Sequence, residues 1–211
     1  MTTITIIGLG HMGKGLAKRL AGKADLVLAA RDSAPEAATA FAATLPAGVI
    51  VLDQAAAIAK ADVVVLALPF PKALDAAANP AMSGKVVLDM SNPVRPDFSG
   101  LTLGYTTSAA EELQAVAPGA KVVKAFNTIF ASLLDLPASQ TADVPVFIAG
   151  DDEAAVAAVA ELVTRAGFAV EKTGGLDAAR LLEPLGMLNI RLGYGLGHGT
   201  DIAPRWTRLT A

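Results

Sequence analysis

The sequence predicts an α/β fold, a doubly wound and mostly parallel sheet followed by a small C-terminal helical segment. Three observations predict it. Short β-branched runs alternate with longer Ala/Leu-rich stretches of helical period along the chain. Several of those runs are apolar throughout, as in Val63-Val64-Val65-Leu66-Ala67-Leu68, which marks strands covered on both faces. A G-x-G-x-x-G loop, Gly8 to Gly13, stands between the first such run and the first helical stretch.

The elements follow in order. Ile4-Thr5-Ile6-Ile7 makes Thr3–Gly8 a strand, and the glycine loop leads into a helix over Met12–Leu20. Leu26-Val27-Leu28-Ala29-Ala30 defines a strand over Asp25–Ala30, and an Ala-rich helix spans Pro35–Thr44. A short strand at Val49–Val51 precedes a helix at Asp53–Ala59. The apolar run then gives a strand at Asp62–Ala67, a helix at Pro71–Ala78 and a strand at Lys85–Asp89. Pro and Gly punctuate the chain from Ser91-Asn92-Pro93 to Tyr105, so this stretch is a loop at a strand end. The pattern resumes with a helix at Ser108–Val116 and strands at Lys121–Ala125 and Val144–Ala149. A helix at Asp152–Arg165, a strand at Phe168–Lys172 and a last helix from near Asp177, interrupted by Pro184, complete it. Beyond that helix, Gly193-Tyr194-Gly195-Leu196-Gly197-His198-Gly199 is too rich in glycine for a helix interior and reads as a flexible cover. The chain therefore divides into residues 1–173, a dinucleotide-binding domain, and residues 174–211, a small helical tail over the cleft.

Composition narrows the chemistry. Hydrophobic residues make up 53% of the 211 positions and charged ones 18%, enough apolar material for a packed core. The net charge of −3, with basic residues scattered singly, argues against a nucleic-acid partner. The absence of cysteine excludes disulfides and thiolate chemistry, and two histidines do not suffice for a histidine-rich metal site. The N-terminus lacks the pattern of a signal peptide, and no apolar run is long enough to span a bilayer, so the expectation is a cytoplasmic protein without a membrane partner.

The glycine loop carries the functional signal. Gly8 permits the tight turn, Gly10 lets backbone approach a pyrophosphate, and Gly13 lets helix and strand pack closely. His11 and Met12 fill the variable positions, with His11 an exposed neighbour of the phosphates. The phosphates would lie at a helix N-terminus, where free N–H groups favour anions. A glycine-rich turn without a ligand is the bland alternative, weakened by the strand, loop, helix and strand in register. The next strand ends in Arg31-Asp32-Ser33, and Arg31 lies 18 residues past Gly13 (31 − 13), close to the position that reads the ribose. A guanidinium pairs with a 2′-phosphate that a carboxylate would repel, so Arg31, helped by the Ser33 hydroxyl, points to NADP(H). Asp32 on the ribose, with Arg31 solvated, is the rival.

Ligands of such Rossmann sheets lie beyond the carboxyl ends of the strands. Three segments meet that condition: Leu68-Pro69-Phe70-Pro71, Asp89-Met90-Ser91-Asn92-Pro93, and Lys124-Ala125-Phe126-Asn127-Thr128-Ile129. They supply candidate cofactor contacts at Leu68, Pro69, Phe70, Asn92, Pro93, Ala125 and Asn127, with Asn127 and Thr128 nearest the nicotinamide. Taken singly, Asn92 and Asn127 are equally good turn formers.

These pieces together resemble the F420-dependent NADP reductases and the oxidoreductase domain of the STEAP metalloreductases. The resemblance rests on Gly8–Gly15 with Lys14, Arg31, Asp89-Met90-Ser91-Asn92-Pro93 and Val122-Val123-Lys124-Ala125-Phe126-Asn127. It extends through Val144-Pro145-Val146, Gly150-Asp151-Asp152, and the last helix with Leu176, Arg180, Glu183 and Asn189. It implies hydride exchange between NADPH and a second flat carrier, coenzyme F420 or a flavin such as FAD or FMN. It also implies a homodimer. Such exchange needs positioning rather than an acid–base pair, and none stands out here. Archaeal members tend to carry His where this chain has Asn127, whereas STEAP-like members have Asn. The glycine loop also resembles that of β-hydroxyacid dehydrogenases, but only 39 residues follow residue 172 (211 − 172), too few for their helical second domain. A non-catalytic NADP(H)-binding redox sensor is the alternative function.

Overall fold

The structure, a computed structural model, describes residues 2–31, 33–207 and 209. Eight strands form one sheet: β1 (Thr3–Ile7), β2 (Asp25–Ala30), β3 (Ile50–Asp53), β4 (Val63–Leu66), β5 (Val86–Asp89), β6 (Lys121–Lys124), β7 (Pro145–Gly150) and β8 (Ala169–Lys172). Their order is β3-β2-β1-β4-β5-β6-β7-β8. The chain starts in the middle of the sheet and winds outward both ways, so a crevice opens above β1 and β4, where the order reverses.

Side chains alternate along each strand, and each face has its own core. Ile4 and Ile6 of β1, with Val63 and Val65 of β4, pack under α1 (His11–Leu20) and α8 (Glu153–Arg165). Ile7, Val64 and Leu66 pack on the other face under α3 (Gln54–Lys60), α4 (Phe70–Ala77) and α5 (Ala109–Val116). The unbroken apolar run of β4 is thus needed on both sides. Thr5, the polar exception in β1, is buried and donates its hydroxyl to Ala57 O at 2.8 Å. The remaining helices are α2 (Pro35–Ala42), the one-turn α6 (Ser132–Asp135) and α7 (Ala138–Thr141), and α9 (Ala179–Ile190). Asp53, Ser108 and Asp152 cap α3, α5 and α8 with their side chains.

The sheet departs from parallel at one place. β7 runs antiparallel to β6, with Lys124 opposite Ala149, and only the one-turn α6 and α7 connect them. A parallel return takes a crossover, usually a full helix, and this link has none. α9 also differs from expectation, running on through Pro184. Burial of Leu182, Glu183, Gly186 and Asn189 along its inner face offsets the lost backbone bond. The glycine-rich segment then starts with a π-helical turn at Arg191–Gly195. Among the described residues no helix is long and apolar enough to cross a membrane.

Arg19 of α1 holds this core together from inside. Its guanidinium donates to the carbonyls of Leu134 (2.8 Å), Leu133 (2.8 Å), Leu136 (2.6 Å) and Ala166 (3.0 Å), and lies 5.1 Å from the Phe168 ring centroid. The carbonyls belong to α6 and the end of α8, so one side chain satisfies the loose ends of two helices. Burial lowers its pKa, offset in part by Asp135. Arg19→Met is expected to strand those carbonyls and cost about 3 kcal/mol in urea unfolding. An unfolding midpoint equal to that of the parent protein would contradict this role.

Candidate active site

β1 delivers its last residue, Ile7, to the crevice, and the chain must then turn sharply. Gly8 does so at φ +101°, and a Cβ there would lie 2.4 Å from Ala67 O. A Cβ on Gly13 would lie 1.9 Å from Gly8 O, so the first turn of α1 sits directly on the loop. Gly10 is different: a Cβ there meets nothing within 4 Å. Gly10 also N-caps α1 without a side-chain bond, and the first turn has no acidic residue. The N-terminal N–H groups of α1 therefore face open space beside a residue with no side chain, the requirement for a bound phosphate.

Two clefts meet at this loop. The first, with about 840 Å³ of empty space, is lined by Gly8, Gly10, Lys14, Arg31, Leu68 and Pro69. It places two cations, one on α1 and one at the end of β2, beside the uncapped helix terminus. The Lys14 ammonium is also 5.4 Å from the Phe41 ring centroid. The second cleft, of about 680 Å³, is lined by His11, Met12, Asn92, Asn127, Thr128 and Phe98 with residues of α9. His11 is exposed and borders this second cleft rather than the first.

The floor of the second cleft is an amide network. Asn92 Nδ2 donates to Asn127 O at 2.8 Å, and Asn127 Nδ2 donates to Asn92 Oδ1 at 3.0 Å and to Leu182 O at 2.9 Å. Asn189 Nδ2 donates to Thr128 O at 3.1 Å. Phe126, buried at φ +63°, makes the tight turn that swings Asn127 over the sheet end. Gly186 completes the fit, because a Cβ there would lie 2.7 Å from Asn127 O. Asn127 Oδ1, Thr128 Oγ1 and Ser91 Oγ are buried without a hydrogen-bond partner.

Below the network lies a feature that sequence reasoning missed. Lys124 Nζ, fully buried, is 2.7 Å from Asp89 Oδ2, 2.7 Å from Glu183 Oε1 and 2.5 Å from Ser91 O. Asp89 Oδ1 accepts from Ser91 N–H at 2.8 Å, while Glu183 accepts from the N–H groups of Ala109 (2.9 Å) and Ala110 (3.3 Å) at the start of α5. One ammonium thus joins β5, β6, α9 and, through Glu183, α5. Burial pushes the Glu183 carboxyl above the usual carboxylate range, and the charge of Lys124 holds it back. The signal was present: a lysine inside Val122-Val123-Lys124-Ala125-Phe126 needs a buried partner. At the outer end of α9, Arg180 grips Glu111 with Nε at 2.9 Å and Nη2 at 2.5 Å, which lowers the pKa of that carboxyl.

The other expected contacts are placed as follows. Ser33 is exposed, and Asp32 lies outside the described residues. Phe70 begins α4 and packs partly buried against the core under that helix. Pro93 and Ala125 are buried; they shape the strand ends beneath the Asn92 and Asn127 turns.

A sheet of this order, with an uncapped helix at a glycine turn and a second cleft at the far strand ends, defines a dinucleotide-dependent oxidoreductase. Residues 3–93 match the family model described as NADP oxidoreductase, coenzyme F420-dependent. The F420-dependent NADP reductase of Methanocaldococcus jannaschii is 30% identical over 200 residues, covering 88% of this chain and 89% of that protein. The rat metalloreductase STEAP3 is also 30% identical, over 184 residues, but this chain spans only 36% of its length. A crystal structure from Arthrobacter sp. FB24, provisionally named an F420-dependent NADP reductase, superposes with a TM-score of 0.82 at 32% identity. It covers 99% of this chain and 100% of that one. The chain belongs to the F420-dependent NADP reductase family and is an NADP-dependent oxidoreductase.

Proposed function

We propose that this chain moves a hydride between NADPH and a flat redox carrier, a deazaflavin such as F420 or a flavin. The observation that carries the reading is the adjacency of the two clefts: one built for a polyanion, the other neutral and aromatic apart from His11, joined at the glycine loop. NADPH, when bound, supplies the hydride at its nicotinamide ring. Gly8, Gly10 and Gly13 receive the pyrophosphate at the start of α1, with Leu68 and Pro69 along the first cleft. Arg31 and Lys14 pair with the 2′-phosphate. Asn92 and Asn127 hold the nicotinamide end, where Thr128 adds a buried hydroxyl. α9 covers this end through Gly186 and Asn189. No side chain has to carry a proton at the reacting carbon, so the protein's contribution is alignment and exclusion of water.

Loss of a charge-assisted pair to phosphate is the test of the first cleft. Arg31→Ala is expected to raise the Kd for NADPH by about tenfold to a hundredfold while leaving NADH nearly unchanged. Equal weakening of both would remove Arg31 from the 2′-phosphate. Turnover tests the second cleft: NADPH oxidation is followed with F420, FMN, FAD or a quinone offered in turn. NADPH binding without turnover against any of them would make the protein a sensor instead.

A further inference from the structure

We propose that Phe98 and Tyr194 are the stacking walls of the acceptor site, gripping the planar ring of the second carrier and selecting tricyclic rings over compact acceptors. The proposal rests on the hydride-exchange reading and names the residues that would recognise the acceptor.

Phe98 sits at the tip of a small hairpin directly after Asn92-Pro93. The hairpin is closed by the antiparallel bridge of Val94 with Leu101, by Arg95 N–H to Gly100 O at 2.9 Å, and by Arg95 Nε to Leu101 O at 3.1 Å. Phe98 N–H then donates to Arg95 O at 2.9 Å, and Asp97 Oδ1 accepts from Ser99 N–H at 3.0 Å. The tip is therefore held, yet Phe98 adopts φ +56°, a conformation that suits Gly or Asn and that bulky residues rarely take. Phe98 is 65% exposed and borders the second cleft. Packing within this chain does not account for an aromatic residue there; a ligand stacked on the ring does.

Tyr194 reaches the same cleft from the other end of the chain. It lies in the π-helical turn Arg191–Gly195, a distortion that often marks a functional position. Phe130 braces its ring edge-to-face at 5.3 Å. Gly193 lets the turn come this close, since a Cβ there would lie 2.6 Å from Phe130 Cζ. Even with that contact Tyr194 is 69% exposed. The cleft also offers Met12, Ile129 and Ile190, together with the bonded amide groups of Asn92, Asn127 and Asn189, while Asn127 Oδ1 and Thr128 Oγ1 are left without a partner. The lining holds no lysine, arginine, aspartate or glutamate, so apart from His11 it offers no charge to a small ionised acceptor. Affinity must come from area and stacking, which favours a large flat ring.

The test separates ring binding from turnover. Riboflavin, and separately coenzyme F420, is titrated by fluorescence quenching in the presence of saturating NADP⁺, which has no hydride to give. Phe98→Ala and Tyr194→Ala are each expected to weaken ring binding about tenfold, the effect of removing one stacking partner. Tyr194→Phe is expected to bind as the parent does, and NADP⁺ affinity to stay level in all three. With NADPH the two alanine variants should raise the KM for the ring far more than they lower kcat. If both bind the rings normally while NADPH still reduces them, the stacking role is overturned and the hydride-exchange reading stands. If Tyr194→Phe loses as much as Tyr194→Ala, stacking by Tyr194 is overturned. A parent protein that neither binds nor reduces either ring overturns the proposal and the reading together.

Discussion

Lys124→Met is expected to destabilise the protein by about 3–5 kcal/mol, the cost of leaving a buried charge without its partner. Methionine fills the space of the lysine stem but supplies no charge, so Asp89 and Glu183 would face each other's field with nothing between them. The loss should also depend on pH. Glu183 titrates above the usual carboxylate range in the folded protein, chiefly through burial, and Lys124 restrains that rise. A carboxyl raised on folding contributes stability below its unfolded pKa and loses it as pH rises through its folded value. Removing Lys124 raises Glu183 further, so the deficit is expected to be larger at pH 8 than at pH 5. Adding Glu183→Gln to the variant should recover part of it by removing one stranded charge. Urea unfolding of both variants at the two pH values checks this; a deficit independent of pH would rule out the electrostatic account.

Gly13→Ala is expected to reduce NADPH binding by about a hundredfold, the scale of effect that a misplacement of 1 Å can produce. The added methyl would meet Gly8 O at 1.9 Å, whereas even a favourable C–H···O contact needs about 3.3 Å. Since the obstacle is backbone, α1 must lift from the loop and carry its N-terminal N–H groups with it. The melting temperature should fall as well. Gly10→Ala provides the contrast: its Cβ enters open space, so the fold should be untouched while NADPH affinity drops. Equal NADPH affinity in Gly10→Ala and the parent would place the pyrophosphate elsewhere.

Much of the fold was legible because it is written in local periodicity. Asp25–Ala30 is a strand from end to end as expected, and Lys121–Ala125 differs from the observed β6 by one residue. Continuous apolar runs, such as that of β4, already implied two covered faces. The direction of β7 was not legible, since Val144–Ala149 reads alike in either orientation and only the missing crossover helix decides it. The passage of α9 through Pro184 was equally hidden. Proline's local cost points to a break, and the buried Leu182, Glu183, Gly186 and Asn189 that outweigh it show only in the packed structure.

The candidate site divides along the same line. Gly8, Gly10, Gly13 and Arg31 are readable because backbone conformation and spacing from a strand end are local properties. The sequence could bring Asn92 and Asn127 to strand ends, but it could not show that each amide holds the other. Nor could it reveal Glu183 closing on Lys124 across 59 positions, or Phe98 and Tyr194 lining one cleft. Local rules therefore accounted for the glycine turn and the positions of the strands, and they raised the expectation of NADP(H). Tertiary structure decided which buried charges are paired and which side chains line the second cleft, because both depend on sheet order and helix docking, which bring together residues far apart in the chain.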